Sequence, residues 1–168
     1  EYIAVSADGN SAMVVLQENN AFAKIDLTTS PPSITDIIAL GFKDYSAAEY
    51  DFSDRDGGVN FVNYDYVRGM YQPDAMDSFT IEGAVYYITA NEGDSRDYDG
   101  YSEEVRADDL TINTTAFPNG VQDADLGRLK TTTANDCGDI DADSIIDFIC
   151  SYGARSFTIW DQNGQLVW

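Results

Sequence analysis

YIAVSADGNSAMVVLQENNAFAKIDLTTSPPSITDIIAL, residues 2–40, carries the reading of the fold. Within it Tyr2–Ser6, Ser11–Leu16, Ala21–Leu27 and Ser33–Leu40 are short runs, alternating or β-branched and aromatic, and each predicts a strand. ADGN, QENN and TTSPP separate them as clusters of turn formers, and Gly9 stands where a tight hairpin turn needs a positive φ. Four short antiparallel strands joined by polar turns in about 40 residues are the unit of a β-propeller blade. A meander within a sandwich is the plainer alternative.

Working outward, the pattern returns. Asp77–Ile81 (DSFTI), a Glu82-Gly83 turn and Ala84–Ala90 begin a second unit; Arg155–Asp161 (RSFTIWD), an Asn163-Gly164 turn and Gln165–Trp168 finish it. With 91–153 set aside, the strand order matches the first unit, Leu16–Asn20 aligning with Ala90–Asp94 and Ala23–Asp26 with Thr158–Asp161. The chain therefore reads as all-β and as part of a propeller: a blade at 1–40, an insertion at 41–74, a blade at 75–90 plus 154–168, and an acidic insertion at 91–153. Successive strands reverse direction, so the connection between second and third strands and the connection between blades leave from one face. Both long loop insertions are expected there, and loops of that length in a compact domain usually carry function.

Composition narrows the partners. A net charge of −21, from 30 acidic and 9 basic residues, repels nucleic acid and anionic membranes and points instead to cations or basic proteins. At 43% hydrophobic and 12% aromatic residues the chain has the material for a core. No run of about 18 apolar residues exists, so no direct membrane insertion is expected. The sequence opens and stops inside predicted strands, as a piece of something longer would, and the edges left open call for remaining propeller blades or neighbouring subunits. Cys137 and Cys150, with no other cysteine, bracket an Asp-rich turn; they read as a disulfide, against the alternative of two buried thiols. Closing that loop would contribute about 3 kcal/mol. Asn113-Thr114-Thr115 is a glycosylation sequon. Together these features indicate an extracellular protein, secreted or at the cell surface.

Two constellations carry chemistry. Asp139, Asp141, Asp143 and Asp147 fall at positions 1, 3, 5 and 9 of a loop, a spacing that lets alternate carboxylates converge on Ca²⁺, which takes six to eight oxygens. Asn135 and Asp136 are further oxygen donors. The pattern departs from an EF-hand loop at its sixth position, Ser144, and at its twelfth, Cys150, and a solvated acidic hairpin is the alternative. The second set is Asp56, Asp74, Glu92 and Asp94 with Arg96, expected to face one another as a second metal or anion site or as salt-bridged loop supports. The first of those uses suits a metal-dependent phosphomonoesterase. With no histidine the chain has neither a Ser-His-Asp triad nor a His-ligated zinc, which leaves a binding role ahead of an enzyme. Thr89–Asp109 holds eight carboxylates, Glu92, Asp94, Asp97, Asp99, Glu103, Glu104, Asp108 and Asp109, and is expected to face water or a cation, not the core. The tyrosines gathered in the insertions are expected to pack loop on loop.

The segments ALGFKDYS, SDRDGGVN, GMYQPDA, TANEGDSRDYDGYSEEVR, DLGRL and YGARSFTIWD, in this order, resemble the mesenchyme-specific cell-surface glycoproteins of biomineralising animals and their bacterial choice-of-anchor relatives. The resemblance implies a secreted or surface-attached calcium-binding β-propeller, a structural or adhesive glycoprotein of extracellular matrix. Matrix protein, carbohydrate or mineral would be its partners. Some bacterial relatives carry an alkaline-phosphatase label, the enzymatic alternative. Where the family often has a DxDGDG-like stretch before YGARSF, this chain has DIDADSIID between its cysteines.

Overall fold

The computed structural model describes residues 2–134 and 137–168; Asn135 and Asp136, named above as oxygen donors, lie outside them. The first strands are β1 (Ile3–Val5), β2 (Ser11–Leu16), β3 (Ala21–Asp26), β4 (Ser33–Ala39), β5 (Phe42–Asp44), β6 (Val67–Met70), β7 (Ala75–Ile81) and β8 (Ala84–Asn91). They are followed by β9 (Asp97–Tyr98), β10 (Tyr101–Ser102), β11 (Glu104–Arg106), β12 (Lys130–Thr132), β13 (Ile149–Ser151) and β14 (Ser156–Asp161). The only helical pieces among the described residues are two 3-10 turns, Gln17–Asn19 and Ala107–Asp109, so the chain is all-β. It divides into two units: one takes the amino-terminal segment to Gly41, Met70–Asp94 and Gly153–Trp168, the other Phe42–Gly69 and Ser95–Tyr152.

In the first unit β1–β4 form an antiparallel sheet in sequence order, and β14-β8-β7 form a three-stranded one. Alternation decides the faces. Met13 and Val15 of β2, Phe22 of β3 and Ala4 of β1 are buried together with Tyr87, Met76 and Trp160 from β8, β7 and β14. Trp160 anchors this core, with Phe22 and Tyr71 each edge-on to it at 5.3 Å between ring centroids. Edge-to-face pairs of this kind add about 1 kcal/mol beyond the area they bury. The indole N–H, which could not be buried unpaired, donates to Thr89 Oγ1 at 2.9 Å. That hydroxyl donates to Asn91 Oδ1 (2.8 Å), and Asn91 Nδ2 donates to Thr158 Oγ1 (2.7 Å) and Ser156 Oγ (3.0 Å).

The second sheet differs from its expected four strands. Gln165–Trp168 lies antiparallel beside β14 as expected but too irregularly to count as a strand: around the Trp160–Leu166 bridge, Ile159 O accepts the N–H groups of Val167 (2.8 Å) and Trp168 (3.2 Å), and Ile159 N–H donates to Trp168 O at 2.6 Å. Asp161 closes the turn between them, its backbone N–H donating to Gln165 O (2.9 Å) and its side chain accepting the N–H groups of Asn163 and Gln165.

The second unit gathers the two stretches expected as irregular loops into a five-stranded sheet, β11-β12-β13-β6-β5. Its centre is a parallel pair, Ile149–Ser151 against Val67–Gly69, which joins the first insertion to the second. Tyr45, Tyr64, Val67, Ala107, Phe117, Leu126 and Ile149 form its core. The tyrosines do pack as expected: Tyr45 sits edge-on to Tyr50 at 4.5 Å and to Phe52 at 4.8 Å. Tyr66, though partly exposed, packs on Phe117 at 6.1 Å and Phe148 at 5.7 Å, whereas Tyr98 and Tyr101 are exposed.

A candidate cation site in the acidic loop

The loop is anchored at both ends before any cation is considered. Cys150 lies in β13, buried, and is disulfide-bonded to Cys137 with the Cα atoms 6.0 Å apart. Just inside the bridge, the Gly138 carbonyl accepts the N–H groups of Asp147 (2.9 Å) and Phe148 (3.0 Å). A second segment meets the loop from outside: Ile112 bridges Ile146 in parallel, and Asn113 N donates to Ile146 O at 2.9 Å.

Within this frame, carboxylate oxygens of Asp139, Asp141 and Asp147 all lie within 4.8 Å of one another. Asp139 is buried; its Oδ1 accepts Asp143 N–H (3.1 Å) and its Oδ2 accepts Ser144 N–H (2.8 Å). Asp147 accepts Asn113 Nδ2–H on Oδ1 at 2.8 Å and, at the longer 3.4 Å, Ile140 N–H on Oδ2. Asp143, the fourth expected ligand, has its Oδ1 turned to Ile145 N–H at 2.8 Å. Asp141 is exposed, and its carboxyl is held above the ordinary range first by the charge of Asp143, then by slight desolvation and by Asp147 and Asp139. Ala142 and Ser144 adopt φ of 60° and 70°, the left-handed region. Ser144 therefore takes at the sixth position the backbone form that a glycine would take at lower cost.

The donor set suits a hard cation. Oxygens bound to one Ca²⁺ sit about 2.3–2.6 Å from it, so any two lie within about 5 Å of each other, and the three carboxylates meet that limit. Each Asp139 oxygen keeps a lone pair after accepting its N–H. Water and backbone carbonyls would complete the shell.

The other expected set is divided. Asp74, Glu92 and Asp94 belong to the first unit, Asp56 and Arg96 to the second. Arg96 is committed to Glu103: Nε and Nη2 donate to Glu103 Oε2 at 3.1 and 2.6 Å, and Arg96 N donates to Oε1 at 3.3 Å. Glu103 is 3% exposed, which corrects the expectation that no residue of the acidic stretch is core. The Arg96 fork and backbone satisfy both carboxylate oxygens, and that pairing is what makes its burial tolerable. Its neighbour Glu104 pairs with Lys130 at 2.6 Å on the adjacent strand. Tyr152 lies close by; burial above all, with Glu103 and Glu104 adding, pushes its hydroxyl well above the usual phenol range, although Thr132 draws it down.

Asn113 and Gln72 escaped the sequence reading as structural residues. Asn113 stood out only as a sequon, and nothing in the order of residues shows that its amide holds Asp147. Gln72 is fully buried, donating from Nε2 to Asp94 O (2.8 Å) and accepting Gly153 N–H on Oε1 (3.1 Å). Pro73 beside it is the sole local hint of an ordered turn.

Comparison with known proteins bears on the whole chain. The family profile of the choice-of-anchor I domain matches residues 1–168. A mesenchyme-specific cell surface glycoprotein of Strongylocentrotus purpuratus is 36% identical over 59 residues, 34% of this chain and 8% of that protein. The match thus covers less than a tenth of that relative's length. No solved structure matches it.

Proposed function

The chain belongs to the choice-of-anchor I domain family, and from that premise we propose that it is a calcium-binding segment of a structural or adhesive protein outside the cell. The observation that carries this reading is the convergence of Asp139, Asp141 and Asp147 oxygens within 4.8 Å on a loop closed by a disulfide. Asp143 would join as a ligand through its second oxygen or through water. The disulfide favours an oxidising compartment, and the similarity to a cell surface glycoprotein favours surface attachment. On this reading Asn113 is the glycan acceptor, and matrix protein, carbohydrate or mineral are the partners of the acidic surface.

The same reading makes the first unit part of a β-propeller. Its two sheets are apolar on their outer faces as well: Ile3, Val5 and Ile37 are exposed on one, and Phe157, at 53% exposure, stands beside Ile88 and Ala90 on the other. Sheets stacked between neighbours need apolar residues on both faces, and further blades, from the same polypeptide or from neighbouring subunits, would cover these.

Calorimetric titration with Ca²⁺ tests the cation reading. Uptake is expected in the oxidised chain and should vanish when Asp139→Ala and Asp141→Ala are combined. Equal uptake by that double variant would overturn the assignment.

A further inference from the structure

The disulfide closes the very loop that gathers the carboxylates. Cys137 and Cys150 are fully buried, and Cys150 is fixed in the sheet by Thr131, whose Oγ1 donates to its carbonyl at 2.8 Å and accepts its N–H at 3.2 Å. Among the described residues the noncovalent tethers of the loop are hydrogen bonds: Asp147 and Phe148 N–H to Gly138 O, the Asn113 amide to Asp147, the N–H groups of Asp143 and Ser144 to Asp139, and a backbone pair at Ile146, whose carbonyl accepts Asn113 N–H and whose N–H donates to Thr111 O. Each is individually weak, because folding exchanges it for a hydrogen bond to water. Opposing them are the mutual repulsion of Asp139, Asp141, Asp143 and Asp147 and the left-handed backbone of Ala142 and Ser144. The covalent bond is a constraint that repulsion between carboxylates does not weaken.

We propose that the oxidation state of Cys137–Cys150 sets whether the loop 138–148 keeps this closed form. With the bond intact the loop stays closed without a cation; with the bond opened it opens unless a divalent cation bridges the carboxylates. Opening is a two-electron reduction: a dithiol attacks one sulfur, the S–S bond breaks, the protein gains two thiols and the reductant leaves as its own disulfide. The cation arm of this inference rests on the function proposed above. There, linkage requires reciprocity. If the oxidised form binds Ca²⁺ about tenfold more tightly, bound Ca²⁺ makes the disulfide harder to reduce by the same factor, about 30 mV for a two-electron couple.

Amide hydrogen exchange on the whole chain, without cation, tests the first arm. On reduction with a phosphine, and in the Cys137→Ser, Cys150→Ser double variant, the amides of Asp143, Ser144, Asp147 and Phe148 should lose protection while those of β11 and β12 keep theirs. Unchanged protection of the loop would overturn the proposal, and so would loss throughout the unit, which would make the bond a general support. The second arm needs no folded reduced form. In a dithiol–disulfide redox buffer, Ca²⁺ at saturation should shift the equilibrium of the native disulfide about tenfold toward the oxidised form, and Mg²⁺ much less. If Ca²⁺ is taken up without shifting that equilibrium, the coupling fails and the cation reading stands; if the loop responds to reduction but no Ca²⁺ is taken up, the cation reading fails and the redox control of the loop stands.

Discussion

Gly153 returns the chain to the first unit, and replacing it with alanine should be among the most damaging small changes in the molecule. Its φ is +72°, and a Cβ there would lie 1.7 Å from the Glu92 carbonyl oxygen and 2.5 Å from its carbon. That is about 1.8 Å short of ordinary van der Waals separation, so backbone must move. The bonds that a shift loosens surround the buried Gln72: Gly153 N–H to its Oε1, Gly93 N–H to its carbonyl, and its Nε2 to Asp94 O. Placing alanine in the left-handed region costs about 1–2 kcal/mol, and weakening these bonds adds about 1 kcal/mol each, for a total of about 4–5 kcal/mol. For a chain of this size, that lowers the midpoint of thermal unfolding by about 10–20 °C. Fluorescence reports it well, because Trp160 is 1% exposed and Trp168 66%, so the change on unfolding comes from Trp160. Gly9→Ala is the control: Gly9 has φ +71° but nothing within 4 Å of an added Cβ, so only the backbone cost of about 1–2 kcal/mol applies. Equal midpoints for the two variants would refute the reasoning.

Three further outcomes follow from the same physics. Thr89→Val removes the partner of the buried Trp160 Nε1–H and of Asn91 Oδ1, and should cost about 2–4 kcal/mol in denaturant unfolding; a cost under about 1 kcal/mol would show that the network bears no weight. Arg96→Ala strands the buried Glu103 carboxylate and should cost about 3–5 kcal/mol, with Arg96→Ala plus Glu103→Gln recovering part of the loss; no recovery would mean that the charge of Glu103 is not the source. Asp8 has its carboxyl held below the ordinary 3.8 by the Ser6 hydroxyl first and then by Asn10. A depressed folded value stabilises above the unfolded value and is lost as pH falls through the folded one, so the gap in thermal midpoint between wild type and Asp8→Ala should be full at neutral pH and close below pH 3.8. A gap that widened on acidification would contradict this.

How far the fold could be read from sequence depended on strand length. Ser11–Leu16, Ala21–Asp26, Ala84–Asn91 and Ser156–Asp161 are each six to eight residues, long enough for alternation to show, and tight turns fix their neighbours. Lys130–Thr132, Ile149–Ser151 and Glu104–Arg106 are three residues each, too short for a period, and the parallel partner of Ile149 is Val67, far away in sequence. The second unit was therefore invisible as a sheet, and its buried Glu103 looked like one more exposed acid. In the loop, spacing alone placed Asp139, Asp141 and Asp147 together, because short-range geometry dictates which side chains share a concave side. What orients them, the Asn113 amide and the left-handed Ser144, depends on a contact from another segment and on a conformation that serine rarely adopts.

The most direct measurement is anomalous diffraction from crystals of the oxidised chain grown with a calcium salt. A cation peak bonded to oxygens of Asp139, Asp141 and Asp147 at about 2.3–2.6 Å is the expected result. Strong cation peaks elsewhere on the acidic surface with none at these three residues would contradict it.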